Sequence, residues 1–85
     1  MKVYFEDRYG NYREIADVQN KQEVNKAISD FLERHNYKSY YTRNWVGEGK
    51  LSFDVIYDVG SHSEFFHVPF DDKNEADAFL RNKDV

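Results

Sequence analysis

The sequence predicts one α+β domain of order ββαβββα, an antiparallel sheet with two helices on one face, and three patterns predict it. Val24, Ala27, Ile28, Phe31 and Leu32 recur at helical spacing. Leu51, Phe53, Val55, Tyr57 and Val59 alternate with Ser52, Asp54 and Asp58, as a half-buried strand does, with only Ile56 out of pattern. Gly10, Gly47, Gly49 and Gly60 fall where the chain must reverse between apolar runs. A chain of 85 residues buries roughly 60 % of its unfolded surface, enough for one thin core without a deep cleft. There is no cysteine, so packing must hold the fold. Aromatic residues, 18 % of the chain, suit that task because each buries a large area.

The elements follow in order. Residues 1–18 form a hairpin: "KVYFED" and "YREIADV" flank "DRYGN", where Asp7 starts a turn and Gly10 takes positive φ, giving a three-residue loop with Val3 facing Ile15. A helix over 20–35 starts with Asn20 and Glu23 at capping-box spacing and ends at Asn36, which tolerates the left-handed conformation. Strands are expected over 40–46, 51–59 and 63–70. A four-residue loop at Gly47 would set Val46 opposite Leu51. A two-residue turn at Gly60 and Ser61 would set Val59 opposite His62. The last helix, near 72–82, begins at Asp72 and buries Ala76, Phe79 and Leu80. Residues 20–83 thus read as helix, three-stranded sheet and helix, within a single domain 1–85.

Charge bears on partners. With 12 basic and 16 acidic residues the net charge is −4, which repels phosphate backbones, disfavours nucleic acid and favours a protein partner with a basic surface. No stretch approaches the roughly 18 apolar residues that cross a bilayer, and no apolar leader opens the chain. A soluble, unprocessed, cytoplasmic protein away from membranes is expected.

The segment "DVGSHSEFFHV", 58–68, raises the question of a metal. His62 and His67 are five residues apart along a strand, so they point to opposite faces and cannot share one ion. "GEG" at 47–49 places an acid between two strands, where a phosphate cradle needs consecutive amides leading into a helix. His35 is a last-turn side chain at the negative end of a helix dipole. No nucleophile, base and pocket converge, so the expectation is a protein that is not an enzyme and needs no metal or other cofactor.

The exposed sheet face is the candidate contact surface. The expected registers place Tyr41, Trp45, Ile56 and Phe65 there, interleaved with Arg43, Asp54, Asp58 and His67. Arg43 would lie beside Asp54, and His67 would form a solvated pair with Asp54. Asp71, Asp72 and Glu75 in "FDDKNEADAF" add an acidic patch, or else complement the dipole of the last helix. The same face could instead bind RNA or single-stranded nucleic acid, or pair with a second copy of the chain. Whether the N-terminal hairpin folds over it is left open by the sequence.

From Asn20 onward, helix, three strands and helix resemble the order of elements in the double-stranded RNA-binding domain. That family grips phosphates with a basic cluster opening its second helix, whereas the matching positions here are Asp71, Asp72, Lys73, Asn74 and Glu75. Its Gly-Pro hairpin loop also has no counterpart in the proline-free stretch 46–50. In style, a small, acidic, cysteine-free domain without a catalytic constellation is similar to inhibitor proteins of bacteriophages and mobile elements, including anti-CRISPR proteins. That likeness implies a chain that occupies the basic nucleic-acid channel of a larger enzyme.

Overall fold

Helical periodicity and strand alternation are realised as β1 (Lys2–Glu6), β2 (Tyr12–Asp17), α1 (Lys21–Arg34), β3 (Arg43–Glu48), β4 (Phe53–Asp58), β5 (Phe65–Phe70) and α2 (Lys73–Arg81). The computed structural model describes residues 1–36, 43–49, 52–60 and 63–82. The strands form one antiparallel sheet in the order β2-β1-β5-β4-β3. The N-terminal hairpin therefore does not fold over the sheet. It extends it, through Tyr4↔His67, Phe5↔Phe66 and Glu6↔Phe65.

Side-chain parity decides which face is covered. Val3, Val55, Tyr57, Phe66 and Val68 point to one side and join Val24, Ile28, Phe31 and Leu32 of α1 and Ala76 and Phe79 of α2 in one buried cluster. Phe31 sits at its centre, with ring centroids 4.6 Å from Phe5 and 5.4 Å from Phe66. Phe70 meets Phe79 at 5.3 Å under α2. Both helices thus lie on the same face. Lys21 ties them together at the far end, its Nζ donating to the carbonyls of Leu80 and Asn82 where α2 leaves its last acceptors unpaired.

Capping follows the expected residues with one shift. Asn20 accepts from the Glu23 amide at 2.9 Å, but the Glu23 carboxylate accepts from the Gln19 amide at 3.3 Å, one residue before the cap. Asn36 closes α1 at φ 61. His35, stacked on Phe31 at 4.1 Å, donates from Nδ1 to the Phe31 carbonyl. The three-residue loop of the first hairpin forms as expected, with Gly10 at φ 83 and the Asp7 amide donating to the Asn11 carbonyl.

Three registers differ from expectation. Val3 pairs with Ala16, not Ile15, because Ile15 is the extra residue of a bulge between the Val3 and Tyr4 pairs. β3 runs on through Gly47 and Glu48, and the Gly49 amide donates to the Ser52 carbonyl at 2.7 Å. Val46 accordingly faces Val55, four residues from the expected partner, and Leu51 lies outside the described residues. In the next hairpin Tyr57 pairs with Phe66 and Val55 with Val68, a slip of two, and His62 lies outside the described residues. Slips of two and four preserve parity, so the residues of β3, β4 and β5 stay on the expected faces.

Candidate functional site

The face turned away from the helices carries Tyr4 and Glu6 from β1, Tyr12 from β2, Phe65 and His67 from β5, Asp54, Ile56 and Asp58 from β4, and Arg43 and Trp45 from β3. Two groups form on it. The first surrounds His67, whose Nδ1 lies 3.0 Å from Asp54 Oδ2 and whose Nε2 lies 2.7 Å from Glu6 Oε1. Both are diagonal contacts: directly opposite His67 stand Ile56 and Tyr4, so the expected Asp54 and His67 pair forms across a different register.

That pair is not solvated. His67 is 4 % and Asp54 3 % exposed. The cover comes from β2 and from residues between β3 and β4. The Tyr12 ring lies 4.7 Å from the imidazole. At the turn, Gly49 passes so near that a Cβ there would lie 2.5 Å from Asp54 Oδ2 and would have to displace the carboxylate. Ser52 Oγ donates to Asp54 Oδ1 at 2.8 Å, completing the shell. Burial first, then the charges of Glu6 and Asp54, push the Tyr12 phenol above its ordinary value.

The geometry holds the imidazole rather than freeing it. Carboxylates only accept, so both contacts are hydrogen bonds at once when both ring nitrogens carry protons, an imidazolium clasped between two carboxylates. In a hydrolytic triad the nitrogen away from the acid faces a nucleophile; here it faces Glu6, while the serine hydroxyl turns to the aspartate. Glu6 and Asp54 sit on opposite edges of the ring, and among the described residues no three metal-ligating side chains converge.

The second group is apolar. Trp45 pairs with Ile56 and meets Phe65 edge-on at 6.4 Å, and a Cβ on Gly47 would lie 2.8 Å from Ile56 Cδ1, so glycine there leaves the isoleucine its place beside the indole. Arg43 stands 5.5 Å over the Trp45 ring and bonds Asp58 at 3.0 Å, not Asp54, as the four-residue slip requires. Asp58 is itself 5 % exposed, with its other oxygen accepting from the Gly60 amide. Tyr41 lies outside the described residues.

The acidic patch is divided. Asp72 accepts from the Asn74 amide at 2.7 Å as the α2 cap, and Glu75 is exposed in the first turn, both on a helix packed behind the sheet. Asp71, at the end of β5, instead lines a cavity of about 550 Å³ on the open face with Tyr4, Tyr12, Asp54 and His67. Glu6, Tyr12 and Ser52 were not anticipated as site residues. Their only signal is that Tyr4 and Glu6 alternate with Val3 and Phe5, which marks a polar face on β1 without saying what lies beside it. Comparison with protein-family models, characterised proteins and solved structures finds no significant match for this chain.

Proposed function

We propose that this chain is a non-enzymatic protein-binding module that uses the open face of its sheet. One observation carries the reading: Trp45, Ile56 and Phe65 gather on a face that neither helix covers, beside an arginine held over the indole. A half-buried tryptophan with a paired aromatic and a charged rim has the composition of an interface anchor. The net charge of −4 favours a basic partner surface, and the clasped His67, with no ring nitrogen facing a nucleophile, speaks against general-base catalysis. Within that reading the finer proposal is a cytoplasmic inhibitor, of the kind found in bacteriophages and mobile elements, that occupies the basic groove of a nucleic-acid-handling enzyme. No helix among the described residues is long and apolar enough to cross a membrane.

The test is affinity capture from a bacterial lysate followed by hydrogen-exchange footprinting of the complex. Protection is expected over β3 and β4, with Trp45→Ala speeding dissociation and rising salt slowing association. Protection confined to α1 would reject the face. Micromolar binding of short oligonucleotides that quenches tryptophan fluorescence would replace the reading with single-strand binding on the same face.

A further inference from the structure

The cavity of about 550 Å³ lies at the opposite flank of the open face from Trp45, over the strands β1, β5 and β4. Tyr4 and Tyr12 line it together with the buried His67 and Asp54 and with Ser52 and the exposed Asp71. The cluster of charges is unbalanced. Asp54 and Glu6 share the single imidazole, which neutralises one of the two carboxylates at most. Asp71 is exposed and makes no ion pair among the described residues. Among the described residues no lysine or arginine lines the space.

Aromatic faces around a space with surplus negative charge attract a cation twice, through the ring quadrupoles and through the carboxylates. Burial first, and then the charges of Glu6 and Asp54, hold the Tyr12 phenol above its ordinary value. Tyr12 therefore presents a neutral hydroxyl that can accept from a donor. A planar guanidinium suits such a site better than an ammonium, since it stacks on tyrosine while its edge donates to a carboxylate.

We infer that this cavity is a binding pocket for one arginine side chain, supplied by the basic partner of the open face. The inference rests on the protein-binding reading only for the source of that side chain. Binding of a guanidinium by the pocket stands on the lining alone.

The experiment is an NMR titration of the isotope-labelled chain at low salt with N-acetyl-arginine-methylamide, against the uncharged N-acetyl-norleucine-methylamide. Saturable shifts are expected at Tyr12, Ser52 and Asp71 with the arginine probe and not with norleucine. Asp71→Asn, at an exposed position, should leave the amide spectrum otherwise unchanged and weaken the probe about fivefold, as loss of one partly exposed charge contact implies. Tyr4→Leu keeps apolar bulk but removes one ring face, and should weaken it about threefold. An equal response to norleucine, indifference to Asp71→Asn, or shifts centred on Trp45 would each overturn the inference. In the captured complex, loss of partner affinity with Trp45→Ala but none with Asp71→Asn would also overturn it while the protein-binding reading stands. Arginine binding at the pocket with no partner footprint on the face would uphold the pocket and remove only that reading.

Discussion

The two faces of the sheet are built by the same five strands and are held by different physics. On the helix side, Val55, Tyr57, Phe66 and Val68 meet Ile28, Phe31, Leu32 and Phe79, and what matters is apolar area and fit. On the open side the buried groups are Asp54, Asp58 and His67, and what matters is whether each polar atom keeps its partner. An apolar face tolerates a slipped register as long as parity survives. A polar face does not, because a hydrogen bond has one partner at one distance.

The sharpest way to break the comparison is to remove a ring from the helix side. Phe31 touches Phe5, Phe66 and His35, so Phe31→Ala should cost about 3–5 kcal/mol in urea unfolding, lowering the midpoint without changing the slope. A loss below about 1 kcal/mol would mean the core collapses around the gap. On the open side, Asp54→Ala strips His67 Nδ1 and Ser52 Oγ of their acceptor while leaving every core contact in place. The expected cost is about 2–4 kcal/mol, from stranded polar groups rather than lost area. Unfolding that matches the parent chain would show that water enters and the network is dispensable.

These two faces were also unequally legible. The helix side could be read residue by residue, since Val24 to Leu32 and Phe53 to Val59 announce it by period alone, and even the four-residue slip at Gly47 left Val46 and Trp45 on their proper sides. The open side required knowing that β1 lies against β5, a pairing between residues about sixty apart that no local pattern encodes. Glu6 therefore went unseen as the second partner of His67. Asp54 and Asp58 read as solvated because alternation reports which face a side chain takes, not what the rest of the chain lays over it. The apolar group of Trp45, Ile56 and Phe65 needed only parity and was legible.

A smaller effect tests the cover itself. A methyl group on Gly49 would press on the Asp54 carboxylate at 2.5 Å, and the carboxylate is held on its other side by His67. Gly49→Ala should cost about 1–3 kcal/mol, as overpacking does. The ring signals of His67 and Tyr12 should move while those of Phe31 stay. Movement at Phe31 instead would mean that the two faces are mechanically coupled through β4.

The smallest expected effect lies at the turn that delivers Glu6 and Tyr12 to the open face. The Asp7 carboxylate accepts from the amides of Tyr9 at 2.9 Å and Asn11 at 3.0 Å. The backbone hydrogen bond from Asn11, opposed by desolvation and supported by the bond from Tyr9, holds this carboxyl below its ordinary value of 3.8. A folded-state value below the unfolded one means that the ionised form stabilises the turn in full above pH 3.8, and that this contribution is lost as pH falls through the lower folded value. Asp7→Asn keeps an acceptor oxygen at the same place and removes only the charge. The parent chain should therefore melt slightly higher than the variant at about pH 6, and the gap should close as the pH falls through the lowered carboxyl value. Because the turn feeds the open face, the Tyr12 and His67 ring signals should respond before those of the core. A gap that stays constant across that range would assign the turn to acceptor geometry alone, with the charge of Asp7 contributing nothing.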